Sequence, residues 1–170
     1  MPGGDPEGTA APVIAMVTLG SIPRMGDGPL ERDALMGALQ YGHQLDPGLL
    51  QRAVGASFTV PALDAVREAV AQIPDRQRPG WALQAVDAVR EPYRSLAGEL
   101  LMAAFPARDE AGAVASATGL CNRLIVRGLD REKNELLGAI QRLPADSDGG
   151  RALRNRLRDI DAERQRFLES

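Results

Sequence analysis

Residues 136–170 read LLGAIQRLPADSDGGRALRNRLRDIDAERQRFLES. Leu136, Ile140 and Leu143 fall on one helical stripe, and Leu153, Leu157, Ile160 and Phe167 fall on another. Between the stripes lies Pro144-Ala-Asp-Ser-Asp-Gly-Gly150, which breaks a helix and turns the chain. The pattern predicts an antiparallel helical hairpin, apolar on a narrow side and charged elsewhere. A narrow stripe on a terminal hairpin is suited to holding another protein.

Working back from the hairpin, no proline interrupts residues 107–143. Val114, Cys121, Ile125, Leu129, Leu136, Ile140 and Leu143 keep close to one face, which predicts a long helix spanning about 55 Å at ~1.5 Å per residue. Gly119 and Gly128 lie inside it as candidate bends or close-contact points.

Shorter helices are expected upstream. Pro29 opens the first, with Leu30, Ala34, Leu35, Ala38 and Leu39 as its apolar face and Gly42 at its end. Asp46-Pro47 starts a second, which turns Leu49, Leu50 and Val54 inward and stops at Gly55. Thr59 is the expected cap of a third, with Leu63, Val66, Val70 and Ile73 inward and Pro74 closing it. Pro79 opens a helix holding Trp81, and Pro92 opens one holding Tyr93, Leu96, Leu100, Leu101 and Phe105. Pro106 breaks it.

The expected fold is all-α: a compact bundle of five to six short helices, then a long helix and a C-terminal antiparallel helical hairpin. Residues 1–28, rich in Gly and Pro, read as a flexible linker with an apolar island at 13–22. That island either docks on the domain or forms a short strand-like segment. Residues 29–120 read as the globular part and 121–170 as the hairpin. A linker at the start suggests a piece of a longer protein.

Composition narrows the function. The chain has 170 residues, 44% of them hydrophobic, with one Trp, two Tyr and three Phe. The net charge of −3 opposes a dedicated duplex-binding surface, which needs clustered surplus cations, so no direct specific nucleic-acid binding is expected. Cys121 is the single cysteine and reads as a buried apolar residue, not a reactive thiol. His43 is the single histidine, so no metal site is expected. Gly3-Gly4 and the segment from Gly26 to Gly28 lack the Lys and Ser/Thr of a phosphate loop, and no G-x-S-x-G elbow exists. Asp159 and Asp161 stand two apart on a helix and point in different directions. No secretory signal or membrane span is read, which places the chain in the cytoplasm. No catalytic residue is assigned.

The order of landmarks resembles a known family. Glu31-Arg-Asp-Ala-Leu-Met-Gly-Ala-Leu-Gln-Tyr41 resembles the first helix of the C-terminal domain of bacterial DnaG-type primases. Phe58-Thr-Val-Pro-Ala-Leu63, leading into Ala65-Val-Arg-Glu-Ala-Val70, is similar to its next landmark, and the terminal hairpin completes the pattern. The turn Gly42-His43-Gln44 lacks the proline common in the family. The amino-terminal domain of the replicative helicase has a similar pattern, but there an ATPase domain follows.

The resemblance implies a non-catalytic domain that docks DNA primase onto the DnaB-type helicase hexamer, mainly through the hairpin, coupling primer synthesis to unwinding. The parent of such a domain is a DNA-directed RNA polymerase, and its zinc and magnesium belong to other domains. No cofactor is expected here. Taken with the terminal apolar stripe, it assigns helicase binding to Arg154, Leu157, Arg158, Ile160, Arg164, Phe167 and Leu168. Arg32 matches a position beside the site where some members receive the acidic tail of single-stranded DNA-binding protein. The other readings are a helicase amino-terminal or self-associating helical adaptor, and an enzyme with an unrecognised helical active site.

Overall fold

In the computed structural model, residues 15–170 are described, and they form helices joined by short turns. Five short helices come first: α1 (Gly28–Tyr41), α2 (Pro47–Gly55), α3 (Pro61–Ala71), α4 (Trp81–Ala88) and α5 (Arg94–Met102). Two long ones follow, α6 (Glu110–Gln141) and α7 (Asp148–Leu168). The all-α architecture expected from the sequence is the one observed.

The starts of these helices follow local chemistry. Pro29 sits in the first turn of α1 and Pro47 in that of α2, where a missing N–H costs nothing. The Asp46 carboxylate accepts from Leu49 N at 2.8 Å, and Asp109 caps α6 by accepting from Gly112 N at 2.7 Å. Ser147 caps α7 in the same way, accepting from Gly150 N at 3.0 Å.

Thr59 is not the cap of α3. The helix begins at Pro61, and the Thr59 side chain is drawn away into a tertiary network described below. Trp81 starts α4 two residues after Pro79, because Gly80 takes a left-handed conformation at φ 79° that a side chain resists.

The core is continuous. Leu35, Leu50, Leu63, Val66, Val70, Leu96 and Leu100 are almost wholly inaccessible, and α6 contributes Ala117, Cys121, Leu124, Ile125 and Leu129. Trp81 also lies in the core. Cys121 is buried there, and burial pushes its thiol up to about 11, which keeps it inert.

The close approaches fall at other glycines than expected. A Cβ on Gly37 would come within 2.9 Å of the Ala117 Cβ, so the crossing of α1 and α6 requires that glycine. A Cβ on Gly42 would lie 2.8 Å from the Trp81 ring. Gly119 and Gly128 would meet nothing within 4 Å, so neither is a close-contact point.

The apolar island docks where it is described. Val17 N–H donates to Pro92 O at 3.3 Å, Leu19 N–H donates to Glu99 Oε2 at 2.5 Å, and Ile22 is buried. Residues 13 and 14 of that island lie outside the described residues. No break marks residue 120; α6 runs on as one helix, and its buried residues reach Leu129.

Candidate interaction surface of the terminal hairpin

α6 and α7 pack antiparallel, so the carboxyl end of α7 returns to the globular body and the projecting tip is the turn between them. Three ionic rungs join the two helices. Arg156 forks onto Glu132 at 2.8 and 3.1 Å, Lys133 meets Asp161 at 2.7 Å, and Arg164 meets Asp130 at 2.6 Å. These pairs are partly exposed, and each contributes at most about 1 kcal/mol. They set the register more than the stability.

The hairpin's apolar stripe is incompletely covered. Ile160 is fully buried and belongs to the same core as Leu129. Beyond that level, no hydrophobic side chain of either helix is buried. Leu136, Ile140, Leu153 and Leu157 are half-buried, while Leu137 and Leu143 are 39% and 40% exposed. The two helices leave this part of the stripe partly open to solvent.

The expected site residues divide into two groups. Arg154 faces the tip and donates to Ala145 O at 2.9 Å, closing the turn. Leu157 lies on the half-open stripe, Arg158 is exposed and donates to Asn155 Oδ1 at 2.5 Å, and Leu168 is 53% exposed. The other three support the surface from behind. Ile160 is inaccessible, so it holds the hairpin from within. Arg164 is engaged by Asp130, and the half-buried Phe167 ring lies beneath Arg52, whose guanidinium carbon is 4.9 Å from the ring centroid.

A charged network, not singled out in the sequence, fastens α6 to the body. Glu31 is fully buried; it accepts from Thr59 N at 2.5 Å and Val60 N at 3.0 Å, and pairs with Arg127 Nη1 at 3.0 Å. Asp27 pairs with Arg127 at 3.2 Å and Arg131 at 3.1 Å, and accepts from the Thr59 hydroxyl at 3.0 Å. Partial burial on its own would raise the Asp27 pKa, but the Thr59 hydroxyl and the two guanidinium groups outweigh it and lower it. The signal was in the spacing: Asp27, just before α1, and Glu31, in its first turn, stand four apart, as Arg127 and Arg131 do on α6.

Arg32 pairs with its neighbour Asp33 at 2.8 Å. Asp33 lines a groove of about 310 Å³ together with Phe105, Ser116, Leu120 and Arg123. His43 sits in the turn after α1 beside Gln44. Among the described residues, no group of His, Cys, Asp or Glu side chains could hold a metal ion. No described helix is long and apolar enough to cross a membrane.

Neither a family model nor a curated protein matches this chain significantly. Among solved structures it is similar to the helicase binding domain of primase from Mycobacterium tuberculosis. The TM-score is 0.65 at 25% identity, with 82% of this chain and 90% of that one covered. The match bears out the resemblance to the C-terminal domain of DnaG-type primases and the expected fold. It is to a binding domain and not a catalytic one, as the sequence reading expected.

Proposed function

We propose that this chain is the part of a DnaG-type primase that docks on the replicative helicase, a hexamer of the DnaB type, in the cytoplasm. The observation that carries the reading is the stripe from Leu136 to Leu157, left half-open on a hairpin that projects beyond the core. Its similarity to a solved helicase binding domain supports the same reading.

On this reading Leu143, Leu153 and Leu157 enter an apolar groove of the helicase, flanked by Arg154 and Arg158. Interfaces concentrate their energy in a few such anchors, while rim arginines act mainly on association rate and salt sensitivity. Leu168 extends the surface. Ile160, Arg164 and Phe167 act from beneath, by keeping α7 in place.

Amide exchange tests this directly. With the helicase hexamer added, residues 136–158 should gain protection while residues 61–71 of α3 stay unchanged. Protection confined to the globular body would sink the assignment. Protection of the hairpin without helicase, rising with the chain's own concentration, would favour a self-associating adaptor.

A second partner follows from the groove beside Arg32. We propose that Arg32 and Arg123 receive the acidic tail of single-stranded DNA-binding protein, with Phe105 and Leu120 taking apolar side chains. Arg32 would exchange Asp33 for a terminal carboxylate, which its fork can hold with two hydrogen bonds. A tail peptide should bind Arg32→Ala roughly tenfold more weakly than wild type at low salt. Equal affinity for both proteins removes Arg32 from the site.

A further inference from the structure

The hairpin leaves the body at a weak point of α6. Leu129 is the last buried residue of that helix, and Gly128 beside it carries no side chain to brace the exit. Glycine inside a helix lowers helical stability relative to alanine. Without other support, α6 would be free to bend there.

Two sets of contacts sit at this level. On one side, Arg127 and Arg131 hold α6 to Asp27, and Arg127 also holds it to Glu31. On the other, Arg52 of α2 reaches the returning end of α7. Its guanidinium stacks over Phe167 at 4.9 Å and pairs with Glu163, which is itself mostly covered. Arg164, next to Glu163, pairs with Asp130, which places this end of α7 beside the Gly128 exit. Arg52 therefore ties α7 directly to α2, by an ion pair and a cation–π contact on one side chain.

We infer that Arg52 is a positioning residue for the docking hairpin: it braces α7 against the body across the Gly128 exit and fixes the direction in which the tip points. The inference rests on the docking reading above. A tip held in one direction loses less freedom on binding than one that swings, so the brace favours association. No local spacing connects Arg52, the basic residue in the last turn of a short helix, with Phe167 more than a hundred residues later.

The test measures direction and affinity on the same protein. Spin labels are placed on Asp146→Cys at the tip and Asp75→Cys on the body; both positions are exposed, and buried Cys121 stays unlabelled. The parent should give a narrow distance distribution, and Arg52→Ala a broad one. Affinity for the helicase hexamer should fall roughly tenfold in Arg52→Ala, the size expected when a surface must be ordered on binding. The exchanged pair, Arg52→Glu with Glu163→Arg, should narrow the distribution again and recover part of the affinity.

An unchanged distribution in Arg52→Ala overturns the brace. A broad distribution with unchanged affinity overturns the positioning role and leaves the docking reading standing. A parent chain that does not bind the helicase overturns the docking reading, and this inference with it.

Discussion

Glu31→Ala should lower the unfolding free energy by about 3 kcal/mol, the low end of what removing one partner of a buried ion pair costs. Glu31 is wholly inaccessible, and the substitution would leave Arg127 without its closest carboxylate and the Thr59 and Val60 amides without their acceptor. Asp27 still pairs with Arg127, which keeps the loss from growing further. Denaturant titration followed by circular dichroism reads it. Glu31→Met combined with Arg127→Met should cost less than Glu31→Ala alone, because no charge is then left buried. A loss below about 1 kcal/mol for Glu31→Ala would mean that the network is solvated and does not fasten α6.

That network also shows where reading the sequence stops. Helix starts at Pro29 and Asp46-Pro47 were legible because caps and prolines act within a turn of chain, whereas the helix expected to open at Pro92 begins only at Arg94. The hairpin was legible because its apolar steps of three and four flank a Pro-to-Gly turn. Thr59 misled because a side-chain hydroxyl can cap locally or bind at a distance. Here Asp27, at the start of α1, and Arg131, on α6, hold it. The glycines misled for a related reason. Their use at Gly37 and Gly42 depends on Ala117 and Trp81 arriving from elsewhere in the chain.

The candidate site was legible in outline and not in depth. The stripe pointed to α7, yet periodicity cannot separate Ile160, sealed inside, from Leu157, half-open on the same face. Nor could it show that the end of α7 returns to the body, where Arg52 covers Phe167. The open part of the hairpin therefore lies nearer its turn than its final residues.

The most direct test of the account is the affinity of the helicase hexamer for wild type and for Leu143→Asp combined with Arg158→Glu. Both residues are exposed, so neither substitution buries a charge, and the helical content and the exchange protection near Leu129 and Ile160 should stay unchanged. Leu143 supplies apolar anchoring near the tip, and Arg158 supplies charge beside the stripe. Losing an anchor and reversing a neighbouring charge should weaken binding roughly a hundredfold, within the range of interface hot spots. Isothermal titration that shows this loss on an intact fold is the result the account predicts. Wild-type affinity in the double variant would contradict it.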